Sequence, residues 1–235
     1  IINSYTLAIG SSSAIFACGA ARLGLKVAFI GVCGNDIFGR FMLDEMQKRS
    51  VDISNVIVSS GEKTGISVIL NRDADRAILT YLGTMTDLQA SDISDHLLRQ
   101  ARHIHIASYF LQTSLQPDLP SLFERAHSLG RTTSLDTNYD PTENWTGFDN
   151  LLSTTDIFFP NKTEALSITA TNNIESAARQ LARQSKLAVI KLGAEGAMLQ
   201  NGDKGLFRPS ISVNVVDTIG AGASFDAGFL YGYLN

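Results

Sequence analysis

The chain has 235 residues, 44% of them hydrophobic and 18% charged, which suits one globular domain with a sizeable core. A formal net charge of -4 without any basic run excludes nucleic acid and anionic membrane surfaces as expected partners. Cys18 and Cys33 fit no disulfide framework or zinc spacing and read as buried thiols of a reducing cytoplasm.

The most apolar region, Ala14 to Cys33, is broken by Gly19, Arg22, Gly24 and Lys26, so it is not a membrane span. Apolar runs of strand length alternate with amphipathic segments of helix length, which predicts an α/β fold with a mainly parallel sheet. Ser12 to Leu23 reads as a helix stopped by Gly24, and Val27 to Gly31 as a strand. Gly39 to Arg49 reads as the next helix, with Phe41, Leu43 and Met46 toward the core. From Val56 to Leu82 the texture changes. Val56 to Val58, Gly65 to Leu70 and Ala77 to Tyr81 are strand-like, joined by Gly and Asp turns, which predicts a run of hairpins in a small sheet.

After Ser91 the alternation returns. Helices are expected over Ser91–Gln100, Pro120–Leu129 and Glu175–Gln184, the second with proline in its first turn and Gly130 at its end. Strands are expected over His103–Ala107, Thr132–Leu135, Asp156–Phe159 and Leu187–Lys191. His103 and His105 share a strand face and lack a third metal ligand nearby, so they read as satisfied strand histidines. Val215 and Val216 read as a short strand leading into Asp217 and Thr218, a turn of small residues, and a final helix.

That turn is the stretch with the most chemistry. A helix start leaves backbone N–H groups without partners, with the positive end of the dipole behind them. Gly220, Ala221 and Gly222 offer almost no side chain to cap them, so an anion can approach closely. The same residues also read as an ordinary tight strand-to-helix turn. A Walker lysine motif is absent, and Gly220-x-Gly222 lacks the third glycine of a dinucleotide fingerprint.

Asp217-Thr218-Ile219-Gly220-Ala221-Gly222 followed by Ser224-Phe225-Asp226-Ala227-Gly228-Phe229 resembles the second signature of the ribokinase-type (PfkB) carbohydrate kinases. Gly10 to Gly24 resembles the first signature, with Gly10 kept and Ser11 and Ile15 replacing the usual glycine and asparagine. Gly31-Val32-Cys33-Gly34-Asn35-Asp36-Ile37-Phe38-Gly39 is similar to the family's Gly-x-x-Gly-x-Asp-x-Phe-Gly turn. Asp136-x-Asn138 resembles its Asp-x-Asn-x-Arg stretch, with Asp140 where arginine is common. Pro160 to Glu164 resembles the Asn-x-x-Glu motif, although Asn161 and Glu164 also read as a helix cap. Lys191 to Ala197 resembles the strand-loop near the nucleotide.

The resemblance implies a three-layer α/β/α sandwich of one domain over residues 1–235, with residues 51–84 as a β lid over the sugar. The chain reads as missing a strand at its start and a helix and loop at its end. The implied reaction is phosphoryl transfer from ATP to a sugar hydroxyl, with Mg²⁺ bridging the phosphates. The implied nucleotide residues are Asn161, Glu164, Lys191, Gly193, Glu195 and Gly196, and the sugar residues Gly10, Ser11, Ser12, Asp136 and Asn138. Glu164 would hold Mg²⁺ through water, and Asp217 and Thr218 would border a monovalent cation such as K⁺. Gly220, Ala221 and Gly222 would form the anion hole, and a homodimer through the lid is a further expectation. Where the family carries its catalytic aspartate, this chain has Ala223, and Asp226 is not expected to replace it. The expected protein is therefore a sugar kinase without its base. A sugar- or nucleoside-binding pseudokinase and a nucleoside kinase of the same fold are the alternatives.

Overall fold

A computed structural model describes residues 5–72, 75–147 and 149–235. The chain forms two compact units, Ile1–Leu88 with Ala223–Asn235, and Gln89–Gly222.

In the first unit, helices α1 (Ser12–Arg22) and α2 (Ile37–Lys48) accompany short strands β1 (Val27–Ala28), β2 (Val32–Gly34), β3 (Val51–Asp52) and β4 (Ile57–Ser59). β1 pairs in parallel with β3, and β2 with β4. Ala14, Ala17 and Cys18 of α1 pack with Met46 of α2 and Val51 of β3. Of the three core positions expected on α2, Met46 is fully buried and Phe41 and Leu43 are half-buried. Small residues let α1 pack closely: a Cβ on Gly19 would lie 3.3 Å from the Cβ of Ala227.

β5 (Ile66–Arg72) and β6 (Asp75–Tyr81) form an antiparallel hairpin. Asp73 and Ala74, between the two strands in sequence, lie outside the described residues. The expected run of hairpins reduces to this one, because the path through α2 brings Ile57–Ser59 back alongside β2 in parallel, a pairing that needs a crossover. Val68 and Leu79 are exposed on one face of the hairpin and Ile78 on the other.

The second unit holds, among the described residues, a six-stranded sheet built from β7 (His103–Ala107), β8 (Thr132–Asp136), β9 (Ile157–Phe158), β10 (Leu187–Lys191), β11 (Ala197–Asn201) and β12 (Lys204–Arg208), ordered β12-β11-β10-β9-β8-β7. β7 to β10 are parallel, and β11 and β12 add an antiparallel edge. The accompanying helices are α3 (Asp95–Gln100), α4 (Leu119–Ser128), α5 (Asp149–Ser153), α6 (Lys162–Ile168) and α7 (Ile174–Gln184). β8 and β9 are buried almost throughout, as strands covered on both faces must be. Leu122, Phe123, Leu135, Phe158, Phe159 and Leu181 are fully buried. This is the α/β fold with a mainly parallel central sheet that the alternation predicts.

Two expectations change. The helix expected from Ser91 begins only at Asp95, because Ser94 accepts the Leu97 N–H and caps it there, with Ile93 extended before it. Val215 and Val216 form no strand and are 70% and 98% exposed, since no neighbouring strand pairs with them. The last helix, α8 (Ala221–Leu234), follows as expected.

His103 is satisfied as anticipated, both ring nitrogens meeting strand hydroxyls, and His105 is held through its Nδ1. Ser134 Oγ bridges His103 Nε2 at 2.7 Å and His105 Nδ1 at 2.8 Å. Burial lowers His103 to about 4 and His105 to about 3, so both are neutral at physiological pH. No group of three or more metal-ligating side chains is assembled among the described residues.

Candidate active site

Parallel α/β sheets collect ligand-binding groups beyond the carboxyl ends of their strands. In the second unit β8 ends in Asp136 and β10 in Lys191, and Lys191 Nζ donates to Asp136 Oδ2 at 2.9 Å. Both side chains are withdrawn from solvent, at 1% and 12% exposure. Asp136 Oδ1 accepts the Asn138 N–H at 3.1 Å. Asn138 adopts φ 55, a left-handed conformation that turns its side chain to accept the Ser108 N–H at 2.8 Å, just beyond β7. The ends of β7, β8 and β10 are thus tied by two polar side chains that the resemblance assigned to the sugar.

Between β9 and α6 runs Pro160-Asn161. Asn161 bridges to Lys191, whose N–H donates to the Pro160 carbonyl at 2.9 Å. Asn161 and Glu164 form a reciprocal cap: Asn161 Oδ1 accepts the Glu164 N–H at 2.9 Å, and Glu164 Oε2 accepts the Asn161 N–H at 2.8 Å. Glu164 is 3% exposed. Burial, and then the charge of Asp136, push it up to about 7, against the Asn161 N–H and Lys191, which pull it down.

Gly193 and Gly196 have φ 60 and φ 120 in the turn that joins β10 to β11. A Cβ on Gly196 would meet the Arg208 carbonyl at 2.0 Å, so only glycine fits. Glu195 pairs with Lys162 at 2.8 Å on the surface.

The small-residue turn starts with Gly220 at φ 74. Of its three amides, that of Ala221 donates to the Thr218 carbonyl at 3.2 Å, a tightening of the helix start. The expectation of three bare amides is corrected to that extent; the Gly220 and Gly222 amides make no backbone bond among the described residues. A Cβ on Gly222 would lie 3.5 Å from Lys191 Nζ, so the turn and the ammonium are neighbours. Asp217 Oδ1 accepts the Ile219 N–H at 2.9 Å, and Asp217 and Thr218 are exposed. In α8, Ala223 is 5% exposed and Asp226 fully buried.

In the first unit Ser11 has φ 64 and forms no side-chain cap, and Ser12 opens α1. A Cβ on Gly10 would meet nothing within 4 Å. The Gly31–Gly39 turn is a built structure. Asp36 Oδ1 accepts the N–H groups of Phe38 and Gly39, and Oδ2 accepts that of Thr64 at 2.8 Å. These bonds, led by Gly39, outweigh burial and lower the carboxyl to about 2.

Two organising residues escaped the sequence reading. Thr64 has no signal linking it to Asp36. Asp140 is 2% exposed and accepts the Thr142 and Trp145 N–H groups, which sets Trp145 edge-on against Phe110 and Tyr139. Asp140-Pro141-Thr142 is legible turn chemistry that could have disclosed it.

Comparison with known proteins supplies the context. The family model described as pfkB family carbohydrate kinase matches residues 13–235. The chain is 30% identical to an uncharacterised sugar kinase of Archaeoglobus fulgidus, over 92% of this chain and 86% of that protein. It is 30% identical to a 5-dehydro-2-deoxygluconokinase of Geobacillus thermodenitrificans, over 99% of this chain and 74% of that protein. A crystal structure of adenosine kinase from Sinorhizobium meliloti superposes with a TM-score of 0.85 at 30% identity, covering 95% of this chain and 71% of that one.

Proposed function

Because the chain belongs to the pfkB family of carbohydrate kinases, we propose that it holds ATP and a sugar hydroxyl for direct phosphoryl transfer, with turnover crippled at Ala223. The observation that carries this reading is the cluster at the carboxyl ends of β8 and β10, where Lys191 pairs with the buried Asp136 and neighbours the glycine turn at Gly222. Phosphoryl transfer asks a protein mainly to hold its reactants in line and to neutralise charge.

In this reading the nucleotide is held in the second unit by Asn161, Glu164, Lys191 and the Gly193–Gly196 turn. The Gly220 and Gly222 amides receive the transferred group. By the family resemblance, Gly10, Ser11 and Ser12 contact the acceptor in the first unit, and the β5–β6 hairpin serves as lid and dimer surface. Carboxylate oxygens such as those of Glu164 suit Mg²⁺ held largely through water, and the ion would neutralise phosphate charge. K⁺ beside Asp217 and Thr218 is proposed on the same resemblance. A reducing cytoplasm suits Cys18 and Cys33, both buried and unpaired.

In the reaction the bond from the γ-phosphorus to ADP breaks and a bond to the sugar oxygen forms, while the hydroxyl loses a proton. Alanine at 223 cannot take that proton, and loss of a general base costs about 10² to 10⁴ in rate. Asp226, fully buried one turn further on, is not proposed as a substitute. The test is sugar-dependent ATP consumption by Ala223→Asp, expected to rise about tenfold or more over the unaltered chain. No gain, with nucleotide and sugar both bound, would favour a second reading, a sugar- or nucleoside-binding pseudokinase, which Ala223 itself motivates. A nucleoside acceptor is the third arm, covered by including nucleosides in the same assay.

A further inference from the structure

Beyond the carboxyl ends of β7 and β8 lies an aromatic cluster that the function above leaves unused. Trp145, the chain's one tryptophan, meets Phe110 with ring centroids 5.6 Å apart and Tyr139 at 5.5 Å, both edge-on. Phe110 follows β7 and in turn meets Tyr109 at 5.3 Å. Phe110 and Trp145 are half-buried and Tyr139 is 54% exposed, so the rings form part of the surface at this end of the sheet. The backbone that carries them is strained, with Asn138, Glu143 and Trp145 at φ 55, 56 and 50. Asp140 holds it in place. Its Oδ1 accepts the Thr142 N–H and hydroxyl, each at 2.8 Å, and its Oδ2 accepts the Trp145 N–H at 2.9 Å. Asn138 ties the same loop to the end of β7 through the Ser108 N–H. The two loops, residues 108–118 and 137–147, carry Asp118, Asp140 and Glu143 and contain no lysine, arginine or histidine. Glu143 accepts the Tyr139 hydroxyl beside the rings, and Lys191 at the end of β10 pairs with Asp136.

We propose that Asp140 and Glu143 exclude sugar acids, and that the acceptor is an uncharged sugar ring, free or in a nucleoside, seated against Trp145 and Phe110. This rests on the kinase function above. A sugar ring has C–H faces that an aromatic ring can cover and hydroxyls at its rim that carboxylates and amides can bind. Loops that offer aromatic rings and carboxylates without a cation match that chemistry. A sugar carboxylate would give up water at a surface whose loops supply no ammonium or guanidinium in exchange, and would stand beside like charges. Asp140 is 2% exposed, so its charge is screened less than one in open water. Burial raises its carboxyl, but the Trp145 and Thr142 N–H groups hold it below its usual range, and it is ionised at neutral pH. Asp140 thus acts twice, as the positioning residue of Trp145 and as a fixed charge. Selection is by repulsion as well as by contact.

The experiment uses the full chain with Mg²⁺ and a non-hydrolysable ATP analogue. It is titrated with uncharged pentoses and hexoses, with adenosine, and with the acids gluconate and 2-dehydro-3-deoxygluconate, read by calorimetry and by the emission of Trp145. At least one uncharged acceptor is expected to bind about tenfold or more tighter than either acid and to shift or quench the emission. Whether adenosine or a free sugar does so identifies the source of the ring. Trp145→Leu should weaken that acceptor about fivefold or more. Glu143→Gln is an exposed change that keeps an acceptor for the Tyr139 hydroxyl. It and Asp140→Asn should each narrow the gap between that acceptor and gluconate, and Asp140→Asn should also alter the emission of ligand-free Trp145. An acid bound as tightly as the best uncharged acceptor overturns the exclusion and leaves the kinase reading standing. Acceptor binding that moves neither the emission nor, in folded Trp145→Leu, the affinity overturns the ring contact. A gap that neither carboxylate variant narrows overturns charge as its cause. A chain that binds neither the analogue nor any acceptor overturns the kinase reading and this proposal with it.

Discussion

The Asp36 carboxylate accepts the N–H of Thr64, 28 residues further along the chain, at 2.8 Å, while it caps the start of α2. Thr64 Oγ1 in turn accepts the Gly34 N–H at 2.8 Å, so cap, strand end and the loop before β5 close into one knot. Gly39 is required inside it, because a Cβ there would meet the Gly34 carbonyl at 2.2 Å.

Asp36→Ala should therefore cost more than a cap alone, about 2 kcal/mol or above, since a distant amide also loses its acceptor. Chemical denaturation measures the loss, and faster limited proteolysis between Ser59 and Thr64 would localise it. Gly39→Ala should be at least as damaging, with an unchanged melting temperature as the result that refutes the knot.

Glu164 gives the chain a stability that declines on the alkaline side. Its folded value, about 7, lies above its ordinary 4.5, so its contribution is fully present below 4.5 and is lost as pH rises through 7. The loss is of the order of 3 kcal/mol. Glu164→Gln should flatten stability between pH 5 and about 8 in urea melts. A variant with the parent's slope would show that Glu164 titrates normally.

His103 and His105 act in the opposite direction. Both are depressed below 6.5, so the stability they confer is complete above that value and is lost as pH falls toward 4 and 3. Asp156 adds to the acid limb. Burial raises it, but Lys186, the Thr133 N–H and His127 together hold it below its usual range, and that stabilisation disappears as it protonates. Replacing Asp156 with Asn should weaken the fold at pH 7 and shallow the acid transition, read by circular dichroism against pH.

The Asn161–Glu164 cap separates structural from functional loss. Asn161→Asp keeps an N-cap acceptor but loses the Nδ2 donor that meets Glu164 Oε1 at 2.6 Å and places a like charge beside it. The expected outcome is a small change in melting temperature with weaker binding of Mg²⁺ and nucleotide together. Equal losses in both would make the pair a cap and nothing more.

How much was legible varied by residue. Leu187–Lys191 and His103–Ala107 were read from sequence with their observed boundaries, because a run of apolar and β-branched residues between turn signals is a local property. Val215 and Val216 carry the same local signal and form no strand, because strand formation needs a partner that propensity does not supply. Asn161 and Glu164 were read correctly as a cap, since both lie within one helical turn.

By itself the sequence determined the alternation of strand and helix, the family, and the absence of a carboxylate at position 223, all of which are written in neighbouring residues. The tertiary structure alone decided that Asp136 meets Lys191 across 55 residues and that Gly222 leaves room beside the ammonium. The physical reason is that parallel strands bring their ends together through crossovers whose register no local pattern specifies. What a charged side chain does depends on which other charge that register sets beside it.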